Sequence, residues 1–177
     1  MRILIGALAA FLTLSATVAG AQSVSVSSGR WFFGGGIGLG FGDQSYVEVS
    51  PFVGYRVTDQ FSVGGGVLWQ HMEDNRYQKD LSTDNYGANL FARYTVYGPF
   101  YLQGEYEYLD YEYYRSDLTT ARRSANSLFA GGGIAHPLGS NASAFVSLMY
   151  NLTYSTYDDP KPYDSPWVVR AGISVGF

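Results

Sequence analysis

Hydrophobic and polar residues alternate along most of this chain with a period of two, which is typical of β-strands that have two unlike faces. After a Ser-rich lead at residues 22–29, the alternation predicts eight strands of about 12 residues each. They cover residues 30–41, 45–56, 60–72, 84–96, 100–114, 124–136, 142–154 and 165–177. No segment shows the period of an amphipathic helix, so the pattern predicts an all-β fold.

In most of these strands one face is apolar and the other is small or polar. The fourth strand, for example, has Leu90 on one face and Asn89 and Arg93 on the other, whereas the sixth, around Gly131–Gly133, is ambiguous by parity. A soluble barrel and a membrane barrel both show this pattern and differ in which face points outward. A membrane barrel places on its lipid face Val63, Leu90, Leu102, Leu148 and Ile173.

The spacing of aromatic residues on the apolar faces favours the membrane. Four pairs are eight residues apart: Phe33 and Phe41, Phe61 and Trp69, Tyr86 and Tyr94, and Phe100 and Tyr108. Eight residues at roughly 3.3 Å span about 26 Å along a strand, and a tilt of about 40° reduces this to about 20 Å of height. That height is close to the apolar band of an outer-membrane barrel. These residues, with Trp167 on the last strand, are predicted to form aromatic girdles at the two water interfaces.

The connectors alternate in length. Those at 57–59, 97–99 and 137–141 are short, and those at 73–83, 115–123 and 155–164 are longer and polar. Outer-membrane barrels alternate in the same way between periplasmic turns and extracellular loops. The connector at 42–44 is the exception, because it belongs to the long set but is short.

The chain ends in an alternating segment, Ala171–Phe177, with a terminal aromatic residue. This end resembles the C-terminal strand of bacterial outer-membrane β-barrels, and the strand number and connectors of the whole predicted mature chain resemble the small OmpA/OmpX-type barrels. The resemblance implies a closed, eight-stranded, antiparallel, up-and-down transmembrane β-barrel over residues 30–177. It also implies that Phe177 is the signal read by the barrel-assembly machinery.

The barrel is expected to be plugged, because eight strands enclose only enough space for side chains. By parity Phe52, Phe91 and Phe145 face inward together with polar residues. The predicted interior polar network consists of Glu48, Asn89, Arg93, Gln103, Glu105, Glu107 and Arg170. Arg170 is placed to reach across the glycine-rich first strand to Glu48, or to a carboxylate on the far wall. An internal network of arginines and carboxylates is therefore expected.

Composition and the first residues agree with export. Residues 1–21 read as a secretory signal peptide, with a positive start, an apolar stretch and a small-residue cleavage site. The chain has no cysteine, which excludes disulfides and thiolate metal sites. With 11 basic and 15 acidic residues, it is not expected to bind nucleic acid.

Catalytic chemistry finds little support in the sequence. His71 and His136 are the two histidines, and neither neighbours an evident nucleophile. We therefore predict a non-enzymatic protein without a catalytic residue, metal or cofactor. A barrel enzyme that modifies lipid A stays open as an alternative. So does a soluble lipocalin-like ligand carrier, because Gly29-Arg30-Trp31 resembles the first strand of that family.

The predicted function is that of a monomeric structural or surface protein of the outer membrane, with adhesion- or antigen-like loops; a narrow pore for small solutes is the remaining alternative. Its partners are expected to be membrane lipid, lipopolysaccharide and an unidentified extracellular molecule. Candidate lipopolysaccharide contacts are Arg76, Lys79, Arg115, Arg122, Arg123 and Lys161. Interspersed aspartates also allow ordinary solvated loop charges. The candidate adhesive surface is the tyrosine-rich end of the fifth strand: Tyr106, Tyr108, Tyr111, Tyr113 and Tyr114.

Overall fold

A computed structural model describes residues 29–40, 44–74, 81–114, 120–155 and 161–176. It consists of eight antiparallel strands that close into a barrel, because β8 pairs with β1 as well as with β7. The strands are β1 (Trp31–Gly40), β2 (Gln44–Arg56), β3 (Phe61–Asp74), β4 (Leu81–Tyr97), β5 (Phe100–Tyr114), β6 (Thr120–Pro137), β7 (Ala142–Asn151) and β8 (Trp167–Gly176). The predicted all-β, closed, eight-stranded, up-and-down barrel is confirmed. The described part of the chain contains no helix that is long and apolar enough to cross a membrane.

The strand faces follow the predicted parity. The apolar residues expected outside are exposed on the barrel surface: Val63, Leu90, Leu102, Leu148 and Ile173. The parity of β6, which the sequence leaves ambiguous, is settled by its register: Phe129 is fully buried in the interior, whereas Leu128 and Ile134 are exposed on the outside.

Glycines provide the room that the interior aromatic rings need. A Cβ atom at Gly34 would overlap the Phe52 ring. A Cβ atom at Gly54 would likewise overlap the ring of Phe32. The glycine positions therefore allow large rings to fill a narrow barrel.

Several predicted strand boundaries are wrong at the end of the barrel that carries the long connectors, called here the outer end. The β3–β4 ladder continues to Asp74 and Leu81, and the β5–β6 ladder continues to Tyr114 and Thr120. The sequence pattern predicts loops for the polar residues there, but antiparallel pairing satisfies their backbone groups and extends both hairpins. β4 and β6, with 17 and 18 residues, are longer than the roughly 9–11 residues that cross a bilayer.

β7 is shorter than predicted and ends at Asn151 rather than at residue 154. The Asn151 carboxamide oxygen accepts hydrogen bonds from the Thr153 backbone N–H (3.0 Å) and the Thr153 hydroxyl (2.7 Å). This local turn stops the strand, as Asn side chains commonly do. β8 begins at Trp167, two positions later than the predicted residue 165. The rim is consequently uneven, since β7 ends opposite Phe129 while β6 continues to Thr120.

Candidate functional site

The barrel interior contains a cluster of charged side chains centred on Arg170. Inward positions of β2, β5 and β8 supply Glu48, Glu105, Glu107 and Arg170, all of them buried. The Arg170 guanidinium contacts Glu105 Oε1 through Nη1 and Glu107 Oε2 through Nη2 at 2.8 Å. Its Nε lies 3.3 Å from Glu48 Oε1. One guanidinium therefore joins carboxylates from two sides of the barrel, and these ion pairs offset part of the cost of burying the charges.

Neighbouring amides extend this cluster into a continuous chain of hydrogen bonds. Glu105 accepts from the Asn89 amide at 2.8 Å and from the Gln103 amide at 3.0 Å. Gln103 Oε1 in turn accepts two hydrogen bonds from the Arg93 guanidinium, at 3.0 and 2.8 Å. Hydrogen bonds thus connect six of the seven predicted network residues. The seventh, Glu48, joins them through its ion pair with Arg170.

Arg93 joins the network through an amide. Its described hydrogen bonds go to Gln103 Oε1, and no described ion pair joins it to a carboxylate. Its guanidinium lies 4.2 Å from the ring centroid of Tyr101 and 5.2 Å from that of Phe145. Gln103 is directly opposite Arg93 in the ladder, whereas Glu105 is on the diagonal and is already bonded to Arg170. Arg93 therefore binds the amide oxygen of Gln103, which is its closest acceptor, and packs against the rings of Tyr101 and Phe145.

An aromatic layer fills the barrel on the side of the short turns. Phe52 makes edge-to-face contacts with Phe32, Phe91 and Phe145 at centroid distances of 6.2, 5.6 and 6.0 Å. A cavity of about 30 Å³, lined by Phe52, Arg170 and other residues, lies between this layer and the charged cluster. It has room for about two water molecules.

A second apolar layer fills the lumen at the outer end, and a loop residue completes it. Tyr163, from the connector between β7 and β8, is only 2% exposed and packs edge-on against Tyr46 and Phe129. Its hydroxyl donates a 2.5 Å hydrogen bond to Glu107 Oε1. Burial, followed by the charge of Glu107, raises the pKa of the Tyr163 phenol well above its ordinary value, so the phenol remains a donor. The rest of this layer comprises Leu68, Met72, Leu109, Tyr111, Met149 and Val168.

The sequence does not reveal the burial of Tyr163, because residues 155–164 have the composition of a polar loop. A tyrosine between Pro162 and Asp164 carries no periodic signal that distinguishes an inserted side chain from a solvated one. The buried position of Tyr111 was also missed: it is 4% exposed and belongs to the interior layer, so it is unavailable for adhesion. Strand parity could have shown this, since Tyr111 shares its face with Glu105 and Glu107.

The predicted girdle residues that the structure describes lie on the outside of the barrel wall. The register pairs Phe61 with Tyr94 near one end and Trp69 with Tyr86 near the other. Phe61 is half-buried and Phe41 lies outside the described residues. The exposed members are Phe33, Trp69, Tyr86, Tyr94, Phe100, Tyr108 and Trp167. Tyr150 is a further exposed aromatic residue of this surface, and its ring centroid lies 4.9 Å from that of Trp167.

The candidate lipopolysaccharide contacts are in different settings. Arg122 forms a 2.8 Å ion pair with Asp110 on the exposed surface. Lys161 donates a 3.0 Å hydrogen bond to the Tyr154 hydroxyl, and Arg123 is exposed at the rim. Arg76, Lys79, Arg115 and the predicted assembly signal Phe177 lie outside the described residues.

The fold has a known structural counterpart. The chain is similar to the N-terminal β-barrel domain of OprF from Pseudomonas aeruginosa, with a TM-score of 0.51 and 15% sequence identity. The match covers 85% of this chain and 100% of that domain. No family model matches the chain, and no curated protein matches its sequence. The similarity therefore establishes the barrel fold and leaves the biological role to be argued from the chain's own residues.

Proposed function

We propose that this protein is a monomeric, non-enzymatic outer-membrane barrel that carries a surface-exposed rim and has a sealed lumen. The observation that carries the proposal is the distribution of polarity across the wall. Leu90 on the outside is 67% exposed, whereas Glu48 and Glu107 on the inside are fully buried. A lipid environment stabilises such an exterior, and a closed barrel satisfies the backbone groups that lipid cannot.

The same observation argues against a soluble lipocalin-like carrier. A carrier of apolar ligands needs an apolar cavity and a polar outer surface. This barrel has the opposite arrangement, since Arg170 and three carboxylates occupy its interior. Its exterior carries large exposed apolar side chains on every strand.

The layered interior supports a structural role over that of a pore. The aromatic layer around Phe52, the Arg170 cluster and the apolar layer under Tyr163 follow one another along the barrel axis. The charged groups are paired with one another, and the cavity beside them is only about 30 Å³. A solute would have to break several buried charge-assisted bonds to pass, and each such bond contributes substantially to stability.

Four measurements test this proposal: membrane fractionation, gel migration, bilayer conductance and lipid A analysis. We expect the protein in the outer-membrane fraction with heat-modifiable migration on detergent gels, and no stable conductance in planar bilayers. Recovery as a soluble periplasmic protein would overturn the membrane assignment. A large, steady conductance would overturn the sealed lumen and favour the narrow pore. Altered lipid A in a deletion strain would instead favour the enzyme alternative.

Assembly is proposed to depend on Phe177 through the barrel-assembly machinery. The support is the alternating end of the chain, in which Ile173 and Val175 are exposed on the outer face of β8. Deleting Phe177 should reduce outer-membrane levels in cells more than refolding in detergent. Equal reductions in both assays would indicate a purely structural role for this residue.

A further inference from the structure

The uneven rim creates a cleft at the outer mouth of the barrel. β7 ends at Asn151, opposite Phe129, while β6 continues farther toward the outer end and reaches Thr120. The chain after β7 turns at Leu152 and Thr153 and later returns through residues 161–163. A cleft of about 180 Å³ lies between this returning segment and residues 123–127 of β6.

The described walls of this cleft are cationic. Arg123 and Lys161 both line it, and none of its described lining residues is an aspartate or glutamate. Among the described residues, no carboxylate pairs with either cation. The adjacent Arg122 is different, because it lies on the outside of the barrel wall and is paired with Asp110. Two cations without a described counter-ion in one concave site attract an anion.

The loop wall is held in place before any ligand arrives. Lys161 donates to the Tyr154 hydroxyl at 3.0 Å, with its ammonium 5.2 Å from the centre of the Tyr154 ring. The Tyr154 hydroxyl donates to the backbone oxygen of Asp164 at 2.6 Å. An ammonium has three N–H donors, so Lys161 can bind an anion while keeping this contact. Such preorganisation lowers the entropic cost of binding.

The remaining lining suits a polyhydroxylated group. Tyr154, which is half-buried, contributes aromatic surface, and hydroxyl and amide side chains surround it. Tyrosine combines an apolar ring with a polar group, which suits a ligand whose surface has both characters. The cleft is below the usual volume of a pocket for a drug-sized molecule, so it suits a group about as large as one sugar ring.

We propose that this cleft binds a phosphorylated sugar, with Arg123 and Lys161 contacting the phosphate. The binding chemistry stands on the cleft alone, and its biological source rests on the proposed outer-membrane location. Two sources supply this chemistry at that surface. One is a free sugar phosphate, and the other is the phosphorylated sugar region of lipopolysaccharide.

The test is a titration of the purified full-length barrel in detergent, followed by amide NMR. Glucose 6-phosphate is the probe, with glucose and inorganic phosphate as separate titrants. We expect saturable shifts for residues 123–127 and 151–155, which weaken as salt rises. The double variant Arg123→Gln/Lys161→Gln should lose at least tenfold in affinity. The matched control Arg122→Gln should bind like the wild type, because that cation faces away from the cleft.

Each result decides the proposal. Absence of saturable shifts, retained affinity in the double variant, or equal loss in Arg122→Gln would overturn it. Equal affinity for inorganic phosphate would overturn the sugar part, and equal affinity for glucose would overturn the role of the two cations. Unchanged heat-modifiable migration shows that a variant has folded.

A competition experiment separates the two sources. If phosphorylated lipopolysaccharide weakens glucose 6-phosphate binding and the dephosphorylated control does not, the site is assigned to the membrane lipid. Binding that neither lipid affects assigns it to a free ligand. Because binding is measured in detergent and location by fractionation, failure of one is distinguishable from failure of the other.

Discussion

The Tyr163 hydroxyl donates a 2.5 Å hydrogen bond to Glu107 Oε1, which ties the outer connector to the interior of β5 across 56 residues of sequence. Glu107 also binds Arg170 at 2.8 Å. A single carboxylate therefore links the outer apolar layer to the charged cluster. The integrity of the outer seal and that of the charged cluster should consequently be coupled.

Replacing Tyr163 by Phe tests this link, because the variant keeps the ring and removes the hydroxyl. The buried Glu107 oxygen then loses a donor, so we expect a loss of about 1–3 kcal/mol in the free energy of unfolding. Urea-dependent unfolding in detergent measures it. Tyr97→Phe is the control, since Tyr97 is 82% exposed. Equal stability of the two variants would contradict the role of the hydroxyl.

Replacing Arg170 by Met should have a larger effect. It leaves Glu48, Glu105 and Glu107 buried without their shared cation, and breaking such a pair costs about 3–5 kcal/mol. Adding Glu107→Gln to this variant should restore part of the loss by removing one uncompensated charge. Arg122→Met is the matched control, because its pair with Asp110 is solvent-exposed and contributes at most about 1 kcal/mol. Similar losses for both arginines would show that the interior cluster is not a closed charge network.

Replacing Leu90 by Arg tests the orientation of the wall. Leu90 is in the middle of β4 on the exposed face, and an arginine at the bilayer midplane of a barrel costs about 2–4 kcal/mol. The loss should be measured by reversible folding into lipid vesicles. Val57→Arg serves as the control, because Val57 is exposed in a short turn outside the strands. A normal folding yield for Leu90→Arg would contradict a lipid-facing exterior.

Replacing Gly54 by Ala tests the packing of the aromatic layer. The added methyl group would overlap the ring of Phe32, so the ring has to move within a filled interior. We expect a loss of about 1–3 kcal/mol, which is typical of overpacking. The double variant Phe32→Leu/Gly54→Ala should lose less than the sum of the two single changes. Gly104→Ala is the control, since a Cβ atom there meets nothing within 4 Å.

Much of the fold could be predicted from the sequence, because a strand has an exact period of two. That period assigned Leu90 outward and Asn89 inward without knowledge of the partner strands. The inward set was identifiable for the same reason, including Arg170 and its carboxylates. Strand ends were less predictable. Asp74 is polar and Leu81 is ambiguous by pattern, yet the two residues pair in the β3–β4 ladder.

Tertiary structure decided which of the inward groups meet. Sequence parity faces both Arg93 and Arg170 inward, and closure of the barrel brings Arg170 into contact with Glu105 and Glu107. Arg93, one strand away from Gln103, binds its nearest acceptor instead. Tyr163 belongs to the interior layer although it lies in the connector that follows the end of β7 at Asn151. Alternation along the chain determines the face of the strand on which a side chain lies. Its neighbours on that face depend on strand register, barrel closure and the position of the loops, because these bring together residues that are far apart in sequence.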